Sequence, residues 1–487
     1  MNSDRGPFDF KERARLAVLQ DGFVPDFPAD VLSEIAIQKA TPNESAPSVR
    51  DLTALLWSSI DNTESKDLDQ VEFAEALPTG CIRVLIGIAD VDARVVHGSA
   101  IDQFARRNAT SVYTGAMTFP MLPAELSNQL SSLNANEERL ALVAELTIGA
   151  GGEVVSNLVY RARIKNAAKL SYDEVGDWLD GKTSVPDKVK NVAGLTEQLR
   201  LQKTAADRLM LLRQRNGTLT FGGVEVTPVI RDNEVKAFSS VQPNAARKII
   251  ECFMVSANVA MAGFLRGKKI PCIRRVVRTP KRWDRIREVA QQLGTTLPEL
   301  PDSRSLSDFL RTRKDADPLH FPDLSLTIVK LLGPGEYIVE HVGDEREGHF
   351  GLAVHDYTHS TAPNRRYADL IVQRLIKGAL AGTDACYTEI ELSEIAAHCS
   401  ERENAARHVE RVMRKVAAAA MLSDEIGRTF DGIITGMSQK GTFVRLLKAP
   451  AEGRIVRGER GLDVGDKVRV RLISVRINEG FIDFEAI

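Results

Sequence analysis

Three aspartates fall within nine positions, at Asp61, Asp67 and Asp69, and Gln70 comes directly after them. On an extended chain Asp67 and Asp69 alternate around Leu68, so both carboxylates leave one face. Asp61 precedes them across the polar turn Asn62-Thr63-Glu64-Ser65-Lys66. Like charges this close repel, and burial strengthens the repulsion, so the pattern calls for a cation. Hard oxygen donors in this number suit magnesium or manganese, which take a few carboxylates and leave positions for water and phosphate. That is equipment for phosphodiester hydrolysis. The competing reading is an acidic surface loop.

A second constellation lies far downstream, in Thr361-Ala362-Pro363-Asn364-Arg365-Arg366-Tyr367-Ala368-Asp369-Leu370. Pro363 suits the first position of a helix, where a missing N–H costs nothing. The N–H groups of that turn, with Arg365 and Arg366, would form an anion-binding corner. Guanidinium forks match phosphate oxygens and stabilise charge on a phosphoryl group in transfer. The alternative pairs Arg365 with Asp369 on a solvated helix face. His355 and His359 stand at HxxxH spacing but lack a third ligand, so zinc is not expected.

The elements that must position these groups can be read from periodicity. Helices are expected over Phe10 to Leu19 and Ala29 to Ala40, with a polar loop at 41–48 after the second. Arg83 to Val91 reads as a buried strand, and Glu137 to Glu145, Leu195 to Arg215 and Lys248 to Leu265 as helices. A strongly helical stretch runs from Glu401 to Ile426, ended by Gly427. Beyond it, short strands at Asp431–Thr435, Gly441–Leu446, Lys467–Val475 and Phe481–Phe484, separated by glycines, suggest a five-stranded OB barrel.

With 487 residues, 43% hydrophobic and 27% charged, the chain has material for two or three domains. A net charge of −2 advertises no nucleic-acid partner, so local basic clusters matter more than the sum. Five scattered cysteines form no CxxC pair, which points to a reducing, cytoplasmic setting. The N-terminus has no apolar signal core, and no uninterrupted apolar run reaches membrane-spanning length, so no membrane partner is expected.

Together the motifs resemble the ribonuclease II / ribonuclease R family, whose catalytic module is the RNB domain. Ile60-Asp61 and Asp67-Leu68-Asp69 match its first signature, and Ile86-Gly87-Ile88-Ala89-Asp90-Val91 its second block. Ser111-Val112-Tyr113, Met121-Leu122-Pro123, Leu126-Ser127 and Ser131-Ser132-Leu133-Asn134 come next in family order. Thr361 to Leu370 matches the diagnostic Thr-Ser-Pro-x-Arg-Arg-Tyr-x-Asp-Leu. The resemblance implies an α+β architecture: an N-terminal helical segment over 1–50, helix-turn-helix-like in spacing, a mixed RNB domain over 51–426, and a C-terminal OB domain of the ribosomal protein S1 type over 427–487. It further implies a monomeric, processive, hydrolytic 3′-to-5′ exoribonuclease that acts on single-stranded RNA with a free 3′ end and releases nucleoside 5′-monophosphates. By the same resemblance Asp61, Asp67, Asp69 and Gln70 are the metal positions, holding Mg2+ or Mn2+, with Asp69 the most critical. Arg365 holds the scissile phosphate, Arg366 and Tyr367 contact RNA beside it, Tyr113 and Tyr172 stack on bases, and Glu410 reads the terminal ribose. The structural alternatives are core packing for Tyr172 and Tyr367, and an ion pair with Arg414 for Glu410.

The departures are specific. Gln70 stands at the family's fourth acidic position and removes one negative charge, which motivates the competing reading of an RNA-binding regulator on a weakened nuclease scaffold. Ala362 replaces a serine that, as a helix cap, is worth about 1 kcal/mol, and Gln373 replaces a histidine. Relatives carry cold-shock domains upstream, where this chain has about fifty helical residues. RNA grip is therefore expected from the barrel (Arg454, Arg457, Arg460, Lys467, Arg469, Arg471, Phe443) and from the basic run Arg266 to Arg285.

Overall fold

The computed structural model describes residues 8–40, 49–222, 226–240, 242–343, 347–383, 386–438 and 441–487. The expected loop at 41–48 lies outside them. The central region is built on one sheet: β1 (Arg50–Asp51), β2 (Trp57–Asp61), β3 (Gln70–Ala76), β4 (Ile82–Ala89) and two long strands, Glu138–Ile148 and Val154–Ser171. β2, β3, β4 and Glu138–Ile148 run antiparallel in succession. The 18-residue strand Val154–Ser171 then pairs antiparallel with Glu138–Ile148 and, through its last residues, parallel with β2. Hydrogen bonding thus returns to where it began, and the sheet curls around its own core.

β4 is almost wholly buried because both of its faces are covered, as its run of Val, Leu and Ile predicts. Gly87 relieves crowding there: a Cβ at that position would lie 3.2 Å from both Ile164 Cδ1 and Val71 Cγ2, so a larger residue would force those side chains to shift. Leu195–Arg215 and Ala245–Gly267 pack on the sheet. By length and composition alone Ala245–Gly267 could cross a membrane, although charges at Arg247, Lys248, Glu251 and Arg266 interrupt its apolar run, as expected. Its apolar residues, Ile249, Phe253, Ala257, Met261 and Leu265 among them, belong instead to the main core.

One stretch changes class. Glu137 to Glu145 reads as helix from its Leu, Ala and Glu content but forms the strand Glu138–Ile148. Ladders on both sides, to β4 and to Val154–Ser171, override a weak local preference.

The N-terminal helices α1 (Phe10–Gln20) and α2 (Ala29–Ala40) form where expected, but not as a helix-turn-helix. Such a motif needs the two helices to share an apolar interface. Here α1 packs on the long helix Glu389–Leu422 and α2 on α3 (Ala100–Asn108). Phe10, Ala14, Ala17 and Val18 join Val409, Met413 and Val416 in one cluster.

Glu389–Leu422 runs 34 residues from a capping box at Thr388 and Glu391, about 50 Å of helix. It ties α1, the central domain and the C-terminal barrel together. The barrel is closed, of strands Thr429–Ser438, Gly441–Leu446, Glu452–Arg457, Lys467–Arg476 and Phe481–Ala486. Glu452–Arg457 carries little alternation and escapes sequence reading. Arg445 anchors the barrel to the Phe321–Leu332 helix through Asp323, with nitrogen–oxygen distances of 3.2 and 2.8 Å.

Candidate active site

β2 ends at Asp61, β3 begins at Gln70, and the strand Val154–Ser171 ends opposite Asp61, with Ser171 as its ladder partner. Three strand ends therefore meet at one rim of the sheet, and the acidic segment crosses that rim. Residues 67–69 form an extended segment just ahead of β3, held from the side by the Ser131–Leu133 stretch. Ser132 Oγ donates to Lys66 O at 2.8 Å and accepts from Leu68 N at 3.0 Å, while Leu133 N donates to Leu68 O at 3.0 Å. Leu68 is buried beneath, which leaves Asp67 half-buried and turns Asp69 inward, 5% exposed.

The downstream cluster meets this segment directly. Asn364 Nδ2 donates to Asp69 Oδ1 at 2.8 Å, although 295 positions separate the two residues. Ser131 Oγ donates to Asn364 Oδ1 at 2.8 Å, so the amide is oriented from its other side. Arg365 is exposed beside them, and among the described residues no carboxylate pairs with it. It acts on Asp61 and Asp69 through its field.

Burial pushes the Asp69 carboxyl up to about 7; Arg365 and the Asn364 hydrogen bonds oppose that rise, and the charge of Asp67 adds to it. Asp61 is also raised, by burial first and then by Asp67. Hydrogen bonds from Asn62 N at 2.7 Å and Ser65 Oγ at 3.0 Å, together with Arg365, hold the rise back. Gln70 is buried with its Nε2 turned onto Ile60 O at 3.3 Å.

The expected RNA contacts divide. Tyr113 is 43% exposed, and its hydroxyl is pushed up to about 12, by burial first and further by Asp67 and Asp69, against Arg365. Its backbone N–H donates to Glu410 Oε1 at 3.2 Å, which brings Glu410 from the long helix to the same corner. Tyr172 sits just past the end of Val154–Ser171, with the Arg247 guanidinium 4.3 Å from its ring centroid. Burial and then Asp61 and Glu72 raise its hydroxyl.

Arg366 and Tyr367 depart from the expectation. Arg366 forks onto Asp369 at 2.8 and 2.7 Å, so the ion pair anticipated for Arg365 belongs to its neighbour. Tyr367 is 1% exposed, with its hydroxyl on Asp102 at 3.0 Å, and packs in the core instead of meeting a ligand. Pro363 does not open the helix. Residues 363–365 form a turn, Arg366 bridges to Thr110, and the helix runs Tyr367–Ala381. The N–H groups of Arg365 and Arg366 are spent on Ala362 O, so the anion-binding corner reduces to the Arg365 side chain. The basic run Arg266 to Arg285 is also largely committed: Arg266 and Arg274 pair with Glu340, Arg275 with Glu403, and Arg278 with Glu336 and Glu347.

Among the described residues no three acidic, histidine or cysteine side chains converge enough to enclose a metal ion by themselves. The donor chemistry nevertheless fits a hard cation. Asp61 and Asp69 are both raised, the charge of Asp67 acts on each, and the arginine that opposes the rise, Arg365, faces solvent. Few protein ligands with water and phosphate completing the shell is the habit of magnesium.

Asn364 and the pair Ser131–Ser132 are not marked out for a role by residue type. An amide between a proline and an arginine, and a serine pair, have no chemical signature until a carboxylate is placed against them.

The RNB domain model matches residues 49–382, and the RNase II-type exonuclease C-terminal S1 domain model matches 428–487. The sequence is 30% identical to ribonuclease R of Aquifex aeolicus and 29% identical to that of Escherichia coli, over 95% of this chain in both cases. It spans 68% and 60% of those relatives' lengths. The structure of Mycoplasma genitalium RNase R with ribose-methylated single-stranded RNA superposes with a TM-score of 0.89 at 26% identity, covering 98% of this chain and 78% of that one. Yeast Ssd1, described as a pseudonuclease, shares the fold at a TM-score of 0.70 and 16% identity over 91% of this chain and 55% of that one, so the fold alone does not decide activity.

Proposed function

This chain belongs to the RNB-domain family, and from that premise we propose that it is a cytoplasmic, monomeric 3′-to-5′ exoribonuclease that hydrolyses single-stranded RNA to nucleoside 5′-monophosphates. The observation that carries the reading is the 2.8 Å contact between Asn364 and Asp69, which joins the acidic segment to the turn bearing Arg365.

Asp61, Asp67 and Asp69 would hold Mg2+ or Mn2+, which, when bound, polarises the phosphate and lowers the cost of forming hydroxide at neutral pH. Asp69 is kept in one orientation by Asn364, which is itself held by Ser131, so the carboxylate is pre-set before RNA arrives. Arg365 neutralises the phosphate as charge builds on its oxygens, and its exposure leaves its fork available for that contact. Tyr113 offers a ring to the terminal base, and Glu410 lies close enough to the Tyr113 backbone to meet the ribose beside it. Stacking tolerates any base, which suits a non-specific exonuclease.

The test is a time course on 5′-labelled single-stranded RNA in magnesium and in manganese. Progressive shortening, release of nucleoside 5′-monophosphates and resistance of a circular RNA are expected. Binding without any shortening in either metal would overturn the reading. Cleavage gained only on Gln70→Asp would then favour the RNA-binding regulator that the neutral Gln70 suggests.

A further inference from the structure

The helix Tyr367–Ala381 carries a polar residue at successive turns of one face: Asp369, Gln373 and Lys377, spaced i, i+4 and i+8. Each grips a different part of the rim. Asp369 Oδ1 accepts from Ala362 N at 2.8 Å, which fixes the turn that bears Arg365. Lys377 Nζ donates to Asp90 Oδ1 at 2.9 Å, just past the end of β4. Between them Gln373 Nε2 donates to Ala89 O, the last carbonyl of β4, at 2.7 Å.

The Gln373 contact falls where the β3–β4 ladder stops. That ladder runs from Ala76↔Ile82 to Gln70↔Ile88, so one step further the residue opposite Ala89 is Asp69. Ala89 N does donate to Asp69 O, at 2.9 Å. In an antiparallel hydrogen-bonded pair the second bond runs back, here from Asp69 N to Ala89 O. That oxygen is held by the Gln373 amide, and Asp69 lies outside the strand. Gln373 and Ala89 are both 0% exposed, so water does not compete for the carbonyl. The amide cannot be reversed, because its oxygen would then face another oxygen. In the orientation it has, Oε1 is buried with no hydrogen-bond partner. Among the described residues the side chain therefore makes one hydrogen bond, the one to Ala89 O.

We infer that Gln373 is a positioning residue for Asp69. By occupying Ala89 O it ends the ladder one residue short, and so sets the backbone from which the Asp69 carboxylate reaches Asn364. Asn364 orients Asp69 through its side chain, and Gln373 does so through the strand end. This inference rests on the hydrolase reading above, and the two are separable by experiment.

Gln373→Met keeps the length of the side chain and removes the donor, while Gln373→His offers a ring N–H in its stead. Steady-state hydrolysis of a short RNA is measured on the full chain, together with hydrogen exchange by mass spectrometry without RNA. For Gln373→Met, kcat is expected to fall about 10- to 100-fold with KM within a few-fold. Residues 62–70 are expected to exchange faster while the strand Glu138–Ile148 keeps its protection, and Gln373→His is expected to recover most of both losses. A fall in kcat with unchanged exchange at 62–70 overturns the inference. So does exchange that rises equally in Glu138–Ile148, the mark of general loosening, or a histidine variant no better than the methionine one. Should Gln373→Met fail to fold, Gln373→Ala, which leaves room for a water at Ala89 O, is judged by the same criteria. Cleavage by the wild type, with kcat and exchange both unaffected in the variant, sinks this inference alone. A wild type that leaves RNA intact, with exchange at 62–70 raised in the variant, sinks the hydrolase reading alone. Intact RNA with unchanged exchange sinks both.

Discussion

Asn364 shows how much of a site can rest on a residue with no chemistry of its own. Its amide donates to Asp69 and accepts from Ser131, so it fixes the carboxylate's orientation. Asn364→Ala is expected to lower the cleavage rate about 10- to 100-fold, the usual cost of losing an orienting partner, while RNA affinity stays within a few-fold. An equal fall in affinity would mean that the amide binds RNA instead. On the proposed reading Arg365→Ala removes the guanidinium that would meet the phosphate, and a loss of about 10²- to 10³-fold in kcat is expected. Arg365→Lys should recover little of it, since a point charge cannot replace a fork. Asp69→Asn should stop cleavage and leave RNA binding intact, as measured by filter binding of a short oligomer.

The strand ends and turns decide whether those residues meet. Ser132 bridges Lys66 O and Leu68 N from a fully buried position, so Ser132→Ala leaves the buried Leu68 N–H, and the half-buried Lys66 carbonyl, without this partner. A loss of about 1–3 kcal/mol in denaturant unfolding is expected, accompanied by weaker activity because the acidic segment is no longer pinned. A second element carries a pH signature. His349, directly ahead of the turn Phe350–Leu352, accepts from Leu352 N at 3.1 Å, and burial, with the Arg275 field, pushes its imidazole down to about 4. A depressed folded value means that the neutral form is favoured by folding. The stability is complete above about pH 6.5 and is lost as pH falls toward 4. The limit is about 3 kcal/mol, at roughly 1.36 kcal/mol per pH unit. Thermal midpoints of the wild type should therefore fall between about pH 6.5 and 4 more steeply than those of His349→Asn, and parallel curves would refute the assignment.

At the scale of the whole molecule, the long helix Glu389–Leu422 sets the distance between the rim bearing Asp61 and Asp69 and the barrel, and Arg445–Asp323 closes the other side of that junction. One face of the barrel beside this helix gathers Lys415, Phe443, Arg454, Arg476 and Phe481 into a groove, with the Arg476 guanidinium 4.8 Å from the Phe481 ring centroid. Aromatic rings among cations are suited to a single strand. Arg454→Ala with Arg476→Ala should weaken RNA binding and reduce the slope of log affinity against log salt by about 1 for each phosphate no longer neutralised. Hydrolysis of a short RNA at saturating concentration should not change. An unaltered salt slope would remove the barrel from the RNA path.

Chemistry and the order of the parts were legible in the chain alone. Local spacing identified the acidic segment and the Arg365 turn, because clustered like charges need an explanation wherever they fold, and the glycine-punctuated alternation after Gly427 marked the barrel. Tertiary structure decided which members of those motifs face the site. Arg365 and Arg366 are adjacent and identical in type, yet one is exposed to solvent and the other is locked to Asp369, since a turn directs neighbouring side chains in different directions. Tyr367 went to the core and Glu138–Ile148 became a strand for a related reason: both outcomes depend on partners far along the chain, and no local window contains them.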